Sequence, residues 1–397
     1  MRLIYFAYVD LDRPNACRSH TLGLLRGFAA RGCQVDAVVP RPRGKEPLVP
    51  GVRFHFLPPH EGSRKALPLA VMLSFLALFR LCRRHAHDAL YARDMDVFVG
   101  PRWCSRRFGM PLFLEVDDAP VEGSYPPWLR PLVAANLRAD YRRAAGLIVP
   151  AVPRCGLLIR EFGVSPAKVH MILNGEDPWP GPAASREEAR ARLKLHPQAF
   201  ALGYVGSVNE RYDFATMIKA LALMLPQAPE TYLVIIGDGP ELPRVKTLAR
   251  RWGVAGQVRF TGFLEHPELG RVMPALDLGL MNLTARQARL HGPVHTKAAT
   301  YGLCGLPVIT AGESLEGYPP ELAELLWLVP PEDPRTLADL CLELARDESR
   351  RRSRGQALAA YAGAHLTWEA VAGKILEIMA APGAGPPRTA PRGGRAG

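Results

Sequence analysis

The 397-residue chain carries 50 Lys and Arg against 38 Asp and Glu, a formal net charge of +12, and is 48% hydrophobic and 22% charged. That length exceeds what one hydrophobic core supports and predicts two domains of ordinary globular composition. The seven cysteines include no CxxC pair, which excludes zinc-ribbon and disulfide-framework classes, and the positive charge suits anionic partners of any kind without choosing among them.

The N-terminus, MRLIYFAYVDLD, runs straight into a strand-like apolar run with none of the parts of a signal peptide, so a cytoplasmic location is expected. The first 40 residues read as a β–loop–α–β unit: LIYFAYV, then Leu22, Leu25, Phe28 and Ala29 at helical spacing, a stop at Gly32, and the strand CQVDAVVP. The apolar window Ala66–Phe79 is shorter than the roughly 20 residues a bilayer span needs. Arg80, Arg83, Arg84 and His85 follow it, so it is either a buried helix with a solvated basic end or a helix lying on anionic headgroups. Peripheral contact with an anionic membrane, at the inner face of the cell membrane, therefore stays open.

Further strands are expected in HDALYARD (ending near Tyr91), PLFLEVDD (Pro111 to Asp118) and AAGLIVP (Ala144 to Pro150). Asp94-Met95-Asp96 is a literal DxD, read here as the start of the helix that follows. The proline- and glycine-rich NGEDPWPGPAA marks a linker, after which Ser185 and Glu188 form a capping-box pattern opening a short helix. A second series follows: FALGYVGS, TYLVIIGDGP, GQVRFTGF, LDLGLMNL and LPVITA. Strand–helix alternation in both halves predicts α/β domains with parallel sheets. The tail from Ala381, rich in Gly, Pro and Arg, is expected to be disordered. With no zinc-finger spacing, RNP-type motif or heptad repeat, no nucleic-acid partner is expected.

Ligands of open parallel sheets bind outside the carboxyl ends of strands. Three successive strand ends in the second half carry glycine: Gly206 with Ser207 and, shortly after, Arg211; Gly237-Asp238-Gly239; and Gly262. Glycine lets backbone N–H groups approach an anion, and a nearby guanidinium can chelate phosphate oxygens. Together they suggest a nucleotide-sized site.

The ordered segments GYVGS, VIIGDGP, VRFTGFL, TKAATYGLCGLPVIT and HLTWEAVAGKILEIM resemble the C-terminal half of GT-B glycosyltransferases, more narrowly the GT4-like group. RSHTLGLLRGFAARGCQVDAVV and FGVSPAKVHMILNGED are similar to segments of that group's N-terminal half, and the resemblance covers residues 1 to about 380. It implies two Rossmann-like domains facing each other across a cleft. The N-terminal acceptor domain would span 1–178, a linker and short helix 179–198, the nucleotide-sugar donor domain 199–362, a C-terminal helix 363–380 and the tail 381–397. It also implies hexosyl transfer from a nucleoside diphosphate sugar to a glycan, lipid-linked or small-molecule acceptor, retaining and metal-independent, with the nucleotide-sugar as co-substrate and no other cofactor.

Arg211 and Lys297 stand at positions matching the group's basic phosphate ligands, while Ser207 stands where an arginine is usual. The group's two glutamates, eight positions apart, fall on Gly292 and Thr300, and neither can supply a carboxylate. Thr300 can still hydrogen-bond a ribose hydroxyl, and His291 and His295 flank the first gap, with His295 able to contact phosphate or sugar. Where many members carry a histidine after a strand, this chain has Asp117 and Asp118: Asp117 is the candidate for positioning an acceptor hydroxyl or supporting charge on the sugar. His20 matches a cleft-facing position near diphosphate or acceptor. The alternative is a catalytically silent homologue acting as a binding or scaffold subunit; an epimerase on the same fold is disfavoured for want of placed acidic groups.

Overall fold

The computed structural model describes residues 1–12, 15–59, 67–93, 96–117, 125–179 and 183–381. It divides into two compact units, Met1–Gly175 with Trp368–Gly397, and Glu176–Thr367. The described part of segment 179–198 falls in the second unit. In place of one helix over 363–380, a helix Glu348–His365 ends and a second, Trp368–Ala380, begins. Of the tail, residues 382–397 lie outside the described residues.

The first unit holds seven parallel strands: β1 (Arg2–Ala7), β2 (Gln34–Pro40), β3 (Val52–Leu57), β4 (Ala89–Arg93), β5 (Leu112–Glu115), β6 (Gly146–Val149) and β7 (Val169–Met171). Their order is β3-β2-β1-β4-β5-β6-β7, so the direction of winding reverses between β1 and β4, where a doubly wound sheet opens its ligand crevice. The runs LIYFA and ALYAR are buried throughout, as strands covered on both faces must be. Edge strand β3, VRFHFL, mixes polar and apolar residues and is mostly half-exposed, which is why hydrophobicity did not reveal it. The strand expected through Asp118 stops at Glu115.

Helices Ala16–Ala30 and Trp368–Ala380 cover one face of this sheet. Helices Leu67–Arg84, Gly100–Phe108, Arg130–Arg143 and Val152–Phe162 cover the other. The apolar window is thus the core of helix 67–84, which buries Ala70, Ser74, Leu78, Leu81 and Cys82 along one stripe. Among the described residues no helix is long and apolar enough to cross a membrane. Asp96 does not start the next helix, whose N-cap is Val99; its carboxylate accepts instead from the Tyr125 hydroxyl at 2.9 Å. Asp94 lies outside the described residues.

The second unit holds β8 (Phe200–Val205), β9 (Thr231–Ile236), β10 (Val258–Gly262), β11 (Leu278–Met281), β12 (Val308–Ala311) and β13 (Leu326–Val329), all parallel, in the order β10-β9-β8-β11-β12-β13. Its switch point lies between β8 and β11. The capping box at Ser185 forms as the pattern predicts, with Glu188 reaching back to the Ser185 amide. Helix Lys297–Leu303 is fixed by Tyr301: its buried hydroxyl accepts from Val205 N at 3.0 Å and donates towards Leu280 O at 3.1 Å or Gly203 O at 3.3 Å. One side chain thereby ties the helix to β8 and β11.

Candidate functional site

The three glycine turns of the second unit are zipped together at the carboxyl ends of β8, β9 and β10. Gly206 N donates to Ile236 O at 2.9 Å, Gly237 N to Gly262 O at 2.9 Å, and Val208 N to Asp238 O at 2.9 Å. The approach excludes side chains: a Cβ on Gly237 would lie 1.9 Å from Gly206 O, and one on Gly239 2.3 Å from Val208 O. Both residues have φ in the positive region, +142° and +159°, where only glycine is comfortable. Asp238 folds back onto the turn, accepting from Gly239 N at 2.7 Å, and Ser207 O accepts from the Tyr204 hydroxyl at 2.6 Å.

Lys297 lies over this platform. A Cβ on Gly206 would be 3.0 Å from Lys297 Nζ, so the ammonium stands directly above the first turn. It is sandwiched against aromatic faces, 3.8 Å from the Tyr212 ring centroid and 5.1 Å from that of Tyr204. Burial alone would raise the Tyr212 phenol, but the charge and hydrogen bond of Lys297, together with the Arg211 charge and a hydrogen bond with Tyr204, hold that group below its ordinary range. Among the described residues Lys297 has no acidic partner within ion-pair distance, so its charge is available to an anion. Ser207 lacks the arginine usual there, and the structure brings a cation to the same turn from helix 297–303. Arg211 is exposed on the loop after β8, which is pinned by Thr284 N donating to Arg211 O and Asp213 N to Asn282 O.

The two missing carboxylates have separate structural accounts. Gly292 ends helix Ala285–His291 with φ +74°, a conformation glutamate adopts only with strain. Thr300, three residues beyond Lys297 and on the same side of the helix, donates from Oγ1 to Glu176 Oε2 at 3.1 Å. Glu176 also accepts from Asp177 N and lies 3.6 Å from His266 Nε2, whose ring packs on Trp179. Burial pushes the Glu176 carboxyl above its usual range, against the opposing effect of His266. Sequence reasoning missed Glu176, Tyr212 and His266; the acidic residue of NGED was in view, but no spacing rule links it to Thr300. His295 has a buried Nε2 without a hydrogen-bond partner. Burial, then the charges of Lys297 and His291, push it well below the ordinary histidine range.

The first-unit candidates form a separate polar cluster at the ends of β4 and β5. Asp117 Oδ2 accepts from Arg93 Nε at 2.6 Å and also pairs with Arg93 Nη2. His20, from helix 16–30, places Nε2 2.5 Å from Glu115 Oε1 and Nδ1 3.9 Å from Asp117 Oδ2. Burial would raise the Asp117 carboxyl; the opposing charges of Arg93, His20 and Arg154 hold it low. His20, Glu115 and Asp117 are also the one grouping of potential metal ligands among the described residues, their atoms within 4.8 Å of one another. The Arg93 guanidinium already supplies positive charge to that grouping. His20 is buried, its ring 4.6 Å from the Trp368 ring. Asp118 lies outside the described residues.

Residues 15–175 match the family model described as glycosyl transferase 4-like domain, and residues 199–347 the model described as glycosyl transferases group 1. The chain is 27% identical over 414 residues to D-inositol 3-phosphate glycosyltransferase of Thermomonospora curvata, covering 93% of this chain and 92% of that protein. It is 30% identical over 208 residues to 2-deoxystreptamine glucosyltransferase of Streptomyces kanamyceticus, a match spanning 49% of this chain and only 53% of that relative. Among solved structures it is similar to sucrose-phosphate synthase from Thermosynechococcus elongatus, with a TM-score of 0.73 at 19% identity over 95% of this chain and 98% of that one. It is also similar to Anabaena HepE in complex with UDP, with a TM-score of 0.71 at 18% identity over 96% and 99%.

Proposed function

The chain belongs to the GT4-like glycosyltransferases of GT-B fold, and from that membership we propose that it moves a sugar from a nucleoside diphosphate sugar to a glycan, lipid-linked or small-molecule acceptor, with retention, without a metal, and at an anionic membrane face. The observation that carries the reading is Lys297 Nζ poised over the Gly206 turn. As the bond from the anomeric carbon to the diphosphate oxygen breaks, the leaving group takes the electron pair, and its charge needs fixed partners. Lys297 and Arg211 supply cations and the glycine turns supply close backbone approach. Ser207, Gly237, Asp238, Gly239 and Gly262 shape the platform, with His295 and Thr300 beside it. UDP bound to the structurally similar HepE supports a nucleotide at this kind of site. Asp117, His20 and Asp118 are proposed for the acceptor side.

A second reading, a silent binding or scaffold subunit, is favoured by the positive φ at Gly292, which suits glycine and would strain a glutamate, and by the engagement of Asp117 with Arg93. Calorimetric titration with UDP, GDP, ADP and dTDP, repeated on Lys297→Ala, separates these. Binding of one nucleotide, weakened about tenfold to a hundredfold by loss of a charge-assisted bond, is the expected result. Binding without turnover of the matching sugar donor would assign the silent role, and binding of none would remove the donor-site reading.

A further inference from the structure

Three neighbouring helices on one face of the first unit are rich in arginine and nearly free of acidic residues. Helix Leu67–Arg84 carries three arginines, Gly100–Phe108 three and Arg130–Arg143 four, while the single acidic residue in all three is Asp140. Asp140 is fully buried and consumed by Arg102, which bonds it at 2.8 Å and so joins the second helix to the third. Arg80, Arg83, Arg84, Arg106, Arg107, Arg130, Arg138 and Arg142 are exposed.

The same surface bears a concentration of exposed large apolar side chains. Leu69 and Met72 lie on the first helix, Val99 and Trp103 at and in the second, and Trp128 and Leu132 at and in the third, with Trp128 73% and Leu132 64% exposed. Trp103 bridges the first two helices by edge contacts to Phe75 and Phe79 at 5.0 and 5.7 Å. A surface apolar and cationic at once, on helices lying flat over a sheet, is costly in water unless something covers it.

We propose that this three-helix face is a docking surface for an anionic lipid bilayer, with the arginines on headgroup phosphates and Trp128, Leu132, Leu69 and Met72 seated at the acyl boundary. Aromatic and aliphatic side chains beside guanidinium groups match the layered chemistry of that boundary. A nucleic acid would engage the arginines but leave the aliphatic side chains wet. The inference deepens the proposed function by naming the surface through which the membrane is met, and rests on that reading only for what is done there.

The test is flotation of the full chain with phosphatidylcholine vesicles with and without about 30% phosphatidylglycerol, since anionic lipid attracts each basic residue near the surface. Nucleotide binding is measured in parallel. Binding to the anionic vesicles alone is expected, weakened about tenfold or more in the variant Arg83→Ser, Arg84→Ser, Arg106→Ser, Arg107→Ser. Trp128→Ala with Leu132→Ser, both well exposed, is expected to weaken it as well, with nucleotide affinity unchanged. Vesicle binding that survives both variants overturns the inference, as does binding of duplex DNA without binding of vesicles. If vesicles bind and no nucleotide does, the docking surface stands and the donor reading falls.

Discussion

Thr300 donates a 3.1 Å hydrogen bond to Glu176, 124 residues earlier in the chain, so a carboxylate stands beside a position that itself carries none. Lys297 and Thr300 share one side of helix 297–303, and a nucleotide whose phosphates lie on Lys297 is proposed to bring its ribose hydroxyls to the Thr300–Glu176 pair. Glu176→Gln is expected to weaken nucleotide binding by about 1 kcal/mol. Thr300→Glu in a Glu176→Ala background is expected to restore it, because a carboxylate returns to the same place. Calorimetry on the three proteins decides: no loss in Glu176→Gln, or no recovery in the double variant, would reduce Glu176 to a structural partner of Thr300.

The glycine turns predict a graded series. A Cβ at Gly237 would meet Gly206 O at 1.9 Å, whereas at Gly262, with φ +72°, it would meet nothing within 4 Å. Gly262→Ala is therefore expected to cost only the left-handed conformation, about 1 kcal/mol. Gly237→Ala must also push β8 and β9 apart at their carboxyl ends, and should lose several times that, with nucleotide binding lost too. Denaturant unfolding of the two variants gives the comparison; equal costs would mean that the turns are not packed as tightly as their backbone bonds imply.

Much of this was legible in the sequence, for definite reasons. The α/β fold follows from runs such as LIYFA and TYLVII, which hydrophobicity marks as strands covered on both faces, and the glycine turns were visible because close backbone contact leaves no other residue possible. Strand β7 (Val169–Met171) was too short to show a pattern, and β13 (Leu326–Val329) follows two residues after helix Pro320–Ala323, so its apolar run merges with that helix. The Arg93–Asp117 pair and the Glu176–Thr300 bond join residues from different elements, and no local period connects them. Of the three arginine-bearing helices the sequence showed only the basic end of the first; the sheet, by placing them side by side, makes a surface of them.

Asp117 is bonded by a buried guanidinium, and removing it has consequences beyond chemistry. Asp117→Ala takes from the buried Arg93 guanidinium the carboxylate it pairs with and leaves its bonds to Cys17 O and Thr21 Oγ1, which is expected to cost about 3 kcal/mol. Nucleotide affinity, which the proposed function assigns to the second unit, should be unchanged. Thermal unfolding and nucleotide titration of the same variant provide both readouts. A variant with wild-type stability and lost transfer would instead make Asp117 a group that acts on substrate.

His295 predicts a pH signature. Its folded pKa is depressed by burial and by Lys297, so below the ordinary histidine value of 6.5 the unfolded chain binds a proton that the folded one refuses. Stability then rises with pH in that window and is lost as pH falls below 6.5, at up to about 1.4 kcal/mol per pH unit. His295→Leu should flatten this part of the profile in chemical unfolding between pH 7.5 and 5.5. A diphosphate seated on Lys297 offsets the charge that depresses His295, so binding near pH 6 should take up a fraction of a proton, and the variant should not. Titrations in two buffers of different ionisation enthalpy measure that uptake. The same proton uptake in wild type and variant would show that the phosphates do not act on His295, which burial then keeps neutral.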